Sequence, residues 1–156
     1  SNDSTYWLFI ELLWREFFQW TAYNAGKQLF NPTGLQPEKP WKPHFNARKY
    51  EQWKNGETGD PLVDANMKEL QATGFMSNRG RQNVASYLIH DMGLDWRSGA
   101  AWFESQLIDF DPASNYGNWL YIAGRGNDPR PFRKFNTKMQ LERYDPDHSY
   151  VNTWLN

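Results

Sequence analysis

The chain has 156 residues, 17 basic and 18 acidic groups, a net charge of −1 and no cysteine. These values exclude disulfides, thiolate chemistry and a polycationic nucleic-acid binder, and the length predicts one domain with a core of its own. Rings make up 17% of the residues, which fits either a core of large side chains or a site that stacks planar ligands.

Residues 4–25 carry Trp7, Ile10, Trp14, Phe17 and Phe18 at spacings of three and four, which predicts a helix that Gly26 stops. Glu11 and Arg15 stand one turn apart and could pair; equally, a Glu among rings is the kind of group that lines a pocket. Residues 27–45 hold Pro32, Gly34, Pro37, Pro40 and Pro43 and predict a long irregular loop, with Trp41 docking part of it. A short helix is expected over 47–55, closed by Gly56. Pro61 then opens a helix through residue 73, stopped by Gly74. Ser77 or Asn78 caps the next helix, which runs to Met92 and Gly93. Asp95 caps a helix to about residue 109, and Asp111-Pro112 breaks it. Residues 115–123 predict a helix, followed by a loop over 124–131 and short helices over 136–143 and 149–155. No alternating strand and no internal repeat is visible, so the predicted class is all-α, an irregular multi-helix bundle.

His44, His90 and His148 are scattered and lack metal-ligand spacing, so no metal centre is expected, and Asp91 beside His90 reads as surface pairing. Arg125, Arg130, Arg133 and Lys134 form either a local basic patch or a solvated loop. No membrane span and no signal peptide is visible, and a soluble cytoplasmic protein is expected.

The most distinctive stretch is Phe75-Met76-Ser77-Asn78-Arg79-Gly80-Arg81-Gln82-Asn83, which runs straight into an apolar segment. It predicts a polar helix N-terminus, a place suited to anions and polar ligand edges. Together with Glu11-Leu12-Leu13-Trp14-Arg15-Glu16-Phe17, Trp53-Lys54-Asn55-Gly56-Glu57-Thr58-Gly59, Gly93-Leu94-Asp95-Trp96-Arg97 and Asp109-Phe110-Asp111, it resembles the photolyase/cryptochrome family in its DASH branch. Ser114-Asn115-Tyr116-Gly117-Asn118-Trp119 and the closing 150–155 continue the resemblance over nearly the whole chain.

The resemblance implies the C-terminal helical part of an FAD-binding domain. Neither the family's N-terminal antenna domain nor its Thr/Ser-rich phosphate clamp for FAD has a counterpart in these residues. It further implies that Arg81 and Asp109 form an ion pair over the flavin ring and that Asn115 stands beside its N5. Asp111 and Asn78 would be further cofactor contacts, with Arg15 a secondary one. From the residues alone, Arg81–Asp109 is an interhelical salt bridge and Asn115 a helix cap. Glu11, Trp14, Asn78, Gln82 and Tyr121 would bind the substrate, with Glu11, Trp14 and Asn115 the catalytic set. Trp119, Trp96 and Trp41 match a chain that passes electrons inward, Trp41 at a gap about two residues longer than the family pattern. The implied parent is a deoxyribodipyrimidine photo-lyase that repairs cyclobutane pyrimidine dimers in single-stranded DNA. A blue-light receptor or nucleic-acid-binding module without repair, or an inert helical fragment, are the alternatives. Weakened FAD binding and self-association through uncovered apolar faces are expected.

Overall fold

The computed structural model describes residues 3–42, 44–128 and 133–156; Pro43 and Arg130 lie outside the described residues. Among the described residues the regular structure is helical throughout. Helix α1 (Asp3–Ala25) ends at Gly26 and passes into a 3-10 turn, Gly26–Phe30, where an irregular loop was expected from its first residue. No regular element follows among the described residues before Asn46, whose side chain accepts from Lys49 N at 3.0 Å and caps α2 (Ala47–Lys54).

Asp60 caps α3 (Pro61–Thr73) by accepting from Val63 N at 3.0 Å, with Pro61 in the first position, where its missing N–H costs nothing. Gly74 closes α3 at φ 69°, and a Cβ there would fall 3.0 Å from the Gln106 carbonyl oxygen. The left-handed stop therefore also admits the crossing of a distant segment. Ser77 caps α4 (Asn78–Ser86), accepting from Gly80 N at 3.1 Å.

The helix expected to continue to Met92 changes at Tyr87 into a π turn, Tyr87–Asp91, in which Met92 N bonds to Tyr87 O. Asp95 caps α5 (Trp96–Gln106), accepting from Arg97 N at 3.0 Å. This helix stops short of residue 109 because Leu107 turns extended and Ile108 N is taken by Gly74 O at 3.0 Å. Asp111-Pro112 opens a helix as well as separating two. Asp111 accepts from Ser114 N at 2.8 Å and caps α6 (Pro112–Ile122), which thus begins three residues earlier than expected. Asn115, read as a candidate cap, lies inside α6. Two short helices follow, α7 (Thr137–Tyr144) and α8 (Ser149–Leu155).

Packing pairs α3 with α8, α1 with α6, and α5 with α6, while α4 rests on α3 and α6. Trp53, Trp96, Met67, Leu70, Leu88, Leu94 and Leu120 are wholly buried at the centre. Each such side chain removed from water contributes roughly 1.5–3 kcal/mol before entropy is counted. The buried indoles of Trp53 and Trp96 donate to Val84 O and Pro32 O at 3.0 and 3.1 Å, so these rings enter the core without an orphaned N–H. Helix α1 behaves differently. Phe18 is its buried ring, whereas Trp7, Phe9, Trp20 and Tyr23 are 58–80% exposed. Among the described residues no helix is long and apolar enough to cross a membrane.

Candidate functional site

Residues 78, 81, 82 and 85 recur at helical spacing, so α4 presents Asn78, Arg81, Gln82 and Ala85 on one face. That face borders a cleft closed opposite by Phe103, Leu107, Asp109, Asp111, Asn115 and Trp119. Arg81 is fixed at two points. Its Nε donates to Met76 O at 2.8 Å, and its Nη2 donates to both Asp109 oxygens at 3.0 and 2.9 Å. The pair bridges α4 and the α5–α6 connection. Asn115 is 9% exposed, and its Nδ2 donates to Ala100 O at 3.0 Å, which leaves the amide oxygen as the end not committed to α5. The cleft therefore has apolar walls and a few fixed polar groups, the usual make-up of a site for a flat ligand.

A second cleft of about 350 Å³ is lined by Glu11, Trp14 and Phe18 from α1, Asn78 and Gln82 from α4, and Tyr121 from α6. Trp14 stacks on Phe18 with centroids 6.0 Å apart. The Arg133 guanidinium covers the Tyr121 ring at 4.4 Å and is itself paired with Asp128. Asn78 and Gln82 belong to both clefts, so the same turn of α4 walls one from the other. The five expected substrate residues are thus brought together, and five of the six expected cofactor residues border the adjoining cleft.

Arg15 is the exception. Its side chain is 57% exposed and lies 3.6 Å from Glu16, so it pairs with its neighbour and not with Glu11 one turn away. A side chain on the outer face of α1 reaches its sequence neighbour without entering the crowded ring face.

Trp119 borders the first cleft, 2% exposed. Its ring meets Phe103 at 5.2 Å and Trp53 at 6.2 Å, both edge-on. Trp53 was not singled out by the sequence as a neighbour of Trp119; Tyr50 and Trp53, one turn apart on the short α2 and stacked at 6.3 Å, were the available signal. Trp96 meets Tyr116 edge-on at 6.3 Å, and Trp41 lies beneath the Arg125 guanidinium at 4.8 Å. Burial, and then a 2.8 Å hydrogen bond to Glu104, push the Tyr116 phenol up to about 12.

The basic run forms no patch among its described members. Arg125 donates to Lys39 O and Pro40 O, Arg133 pairs with Asp128, and Lys134 pairs with Asp91 at 2.6 Å. Asp91 is thereby engaged by Lys134, while His90 Nε2 lies 3.1 Å from Ile122 O. Burial lowers the His90 pKa below the ordinary imidazole value.

FAD, implied by the resemblance, can be tested against these residues. The first cleft suits its ring, with Phe103, Leu107 and Trp119 for the flat faces and Arg81, Asp109 and Asn115 for the polar edge. The residues present thus fit the ring side of the cofactor.

Comparison with known proteins supports the same assignment. Residues 7–156 match the model of the FAD binding domain of DNA photolyase. Cryptochrome DASH of Gloeobacter violaceus is 58% identical over 99% of this chain, which spans 31% of that protein; the Xenopus laevis relative is 54% identical, with 29% spanned. The chain thus spans about a third of the length of the curated relatives it matches. The crystal structure of Synechocystis cryptochrome superposes with a TM-score of 0.92 at 57% identity, over 99% of this chain and 32% of that one. An archaeal photolyase from Sulfolobus tokodaii, solved with two FAD molecules, gives a TM-score of 0.84 at 38% identity, over 94% of this chain and 34% of that one. The chain belongs to the photolyase/cryptochrome family: it is an all-α FAD-binding domain of the DNA photolyase type, and its high-identity relatives are DASH cryptochromes.

Proposed function

We propose that the two clefts are the flavin-ring seat and the lesion pocket of a light-driven enzyme that splits cyclobutane pyrimidine dimers, chiefly in single-stranded DNA. The observation that supports this best is the shared wall of Asn78 and Gln82, which sets a ring-lined cleft directly beside the one lined by Arg81, Asp109 and Asn115. FAD, when bound, supplies electron transfer under blue light.

The chain's own residues do the rest. Arg81, immobilised by Met76 O and Asp109, holds a cation at a fixed place, where it favours negative charge on a neighbouring ring without reorganisation. Asn115 offers its amide oxygen to the ring edge because its nitrogen is committed to Ala100. Asp111 and Asn78 position the remaining edge. Trp119, on the cleft wall, is the inner member of an electron relay continued by Trp96 and Trp41. In the second cleft, Trp14 and Tyr121 stack on the extruded bases, each contact worth roughly 1–3 kcal/mol, and Glu11 accepts from a base N–H. Ring stacking tolerates any sequence, and a damaged base is cheap to extrude.

Single strands suit this surface. Duplex binding draws on many phosphate contacts, whereas the net charge here is −1 and Arg125, Arg133 and Lys134 are already engaged. Exposed rings on α1, Trp7 at 61% and Trp20 at 64% among them, are the face through which the chain self-associates. Light scattering across a concentration series checks this, and a monomer throughout would refute it.

The repair reading is tested by replacing the matching third of the 57% identical Synechocystis cryptochrome with this chain. Blue-light repair of a dimer-bearing single-stranded oligonucleotide is expected, and its loss in the Glu11→Ala/Trp14→Ala double variant. A chimera that photoreduces its flavin yet leaves the dimer intact would favour light sensing instead.

A further inference from the structure

An electron relay needs an outer end, a group that keeps the vacancy once Trp96 has passed its electron inward. Trp96 cannot keep it. The ring is wholly buried, and its Nε1 donates to Pro32 O at 3.1 Å. A peptide carbonyl is too weak a base to take that proton. An oxidised Trp96 therefore carries its positive charge inside an apolar core, where charge is costly.

Trp41 is poorly equipped to take the charge over. The Arg125 guanidinium lies 4.8 Å from the centre of its ring, and its Nε1 is buried without an acceptor. A cation on the ring face opposes a second positive charge on the ring itself. With no base at Nε1, no proton leaves to relieve it.

Tyr116 has what Trp41 lacks. Its ring meets Trp96 edge-on, with centroids 6.3 Å apart, and Phe30 packs edge-on against it at 4.7 Å. Its hydroxyl on α6 donates to Glu104 Oε2 on α5 at 2.8 Å. At neutral pH the phenol is protonated, so its oxidation must release that proton, and a carboxylate within hydrogen-bond reach is a base that receives it. Glu104 is exposed, which lets the carboxylate exchange the proton with water.

Resting on the flavin reading above, we propose that the relay forks at Trp96 and that Tyr116, with Glu104 as its proton acceptor, is the arm that holds the vacancy. In this step one electron passes from Tyr116 to oxidised Trp96, and the phenolic proton passes to Glu104 Oε2. An intact Trp96, a neutral tyrosyl and a protonated Glu104 result, with no charge left in the core. A soluble one-electron reductant of the thiol or ascorbate class then returns an electron to Tyr116, and Glu104 returns the proton.

Transient absorption after a blue flash, on the chain carrying FAD retained through gel filtration, tests the fork. A tryptophanyl band should give way to a tyrosyl band, more slowly in D2O. Tyr116→Phe should leave the tryptophanyl band unconverted, and Glu104→Gln should slow the conversion by roughly a hundredfold. Trp41→Phe removes the competing arm and should raise the tyrosyl share. A tyrosyl band unchanged in either Tyr116→Phe or Glu104→Gln, or an end state on tryptophan that disappears in Trp41→Phe, would overturn the proposal while leaving flavin photoreduction in place. Should the chain retain no FAD or form no radical under the flash, the flavin reading fails separately. Azide radicals from pulse radiolysis then oxidise the indoles directly, without cofactor. The tyrosyl share should again fall in Tyr116→Phe, and an equal share in both proteins would overturn the fork. Glu104 lies on the surface, so its variant keeps the test valid should Tyr116→Phe fail to fold.

Discussion

Gly99 occupies the buried face of α5 where the helix meets Trp119. A Cβ at this position would lie 2.2 Å from Trp119 Cη2 and 2.6 Å from both Trp119 Cζ3 and Leu88 Cδ2. Neither neighbour has room to retreat, because Trp119 is 2% and Leu88 0% exposed, and Trp119 is also wedged against Phe103 and Trp53. Overpacking of such a core costs about 1–3 kcal/mol, and two rigid neighbours place Gly99→Ala near the top of that range. Against this, exchanging Gly for Ala in a helix interior recovers about 0.5–1 kcal/mol. The net loss is about 2 kcal/mol. For a chain of this size that lowers the melting temperature by about 4–8 °C. Thermal unfolding followed by circular dichroism reads the shift, and tryptophan fluorescence reports the displaced ring. Because Trp119 walls the proposed flavin cleft, retention of FAD after gel filtration should fall in parallel. A variant that melts at or above the parent temperature would refute the packing reasoning, since helix propensity would then outweigh the contact.

Asp109→Asn should separate binding from stability. Asp109 is 51% exposed and Arg81 26%, so loss of the pair should cost about 1 kcal/mol of folding or less while flavin absorbance retained after gel filtration drops. His90 sets a dependence on acid: burial lowers its folded pKa, so the unfolded chain binds the proton first. Stability should therefore hold above about pH 6.5, decline below it until the folded pKa is passed, and lose that slope in His90→Gln, as read from melts across pH. Tyr116 works at the other end. Its phenol is raised to about 12, so the stability linked to it is complete below about pH 10 and is lost as pH rises through the folded value. Burial also raises Tyr50, Tyr87 and Tyr150, so ultraviolet titration should show several late-ionising tyrosines and one fewer in Tyr116→Phe.

Local chemistry was legible wherever the signal lay within a few residues. Ser77 and Asp95 act as the caps their side chains suggested, Pro61 opens α3, and Gly74 and Gly93 stand where helices end. What the sequence hid depends on distant partners. The end of α5 is set by Gly74 O, which claims Ile108 N from another part of the chain. The π turn is the exception, since its bonds, Met92 N to Tyr87 O and Leu94 N to Leu88 O, are local and still left no mark in the residue pattern. Asp111-Pro112 was read for what it interrupts, although the same two residues also make a cap and a first helical position. The candidate site followed the same division. Periodicity alone could put Asn78, Arg81 and Gln82 on one face, but the motif resemblance was needed to bring Glu11, Trp14 and Tyr121 to it. Trp53 beside Trp119 arises from packing between helices, which no local pattern encodes.

The π turn at Tyr87–Asp91 is a place where chain length can change without changing the frame. It fits one residue more into a turn than an α-helix would. Deleting a single residue there would restore ordinary winding over nearly the same rotation, so Asn78, Arg81 and Gln82 would keep facing Asp109 and Tyr121. The same deletion within the regular winding of α4 has no such slack and would rotate everything before it by about 100° relative to everything after. A homologue one residue shorter at the π turn should therefore keep both of its clefts.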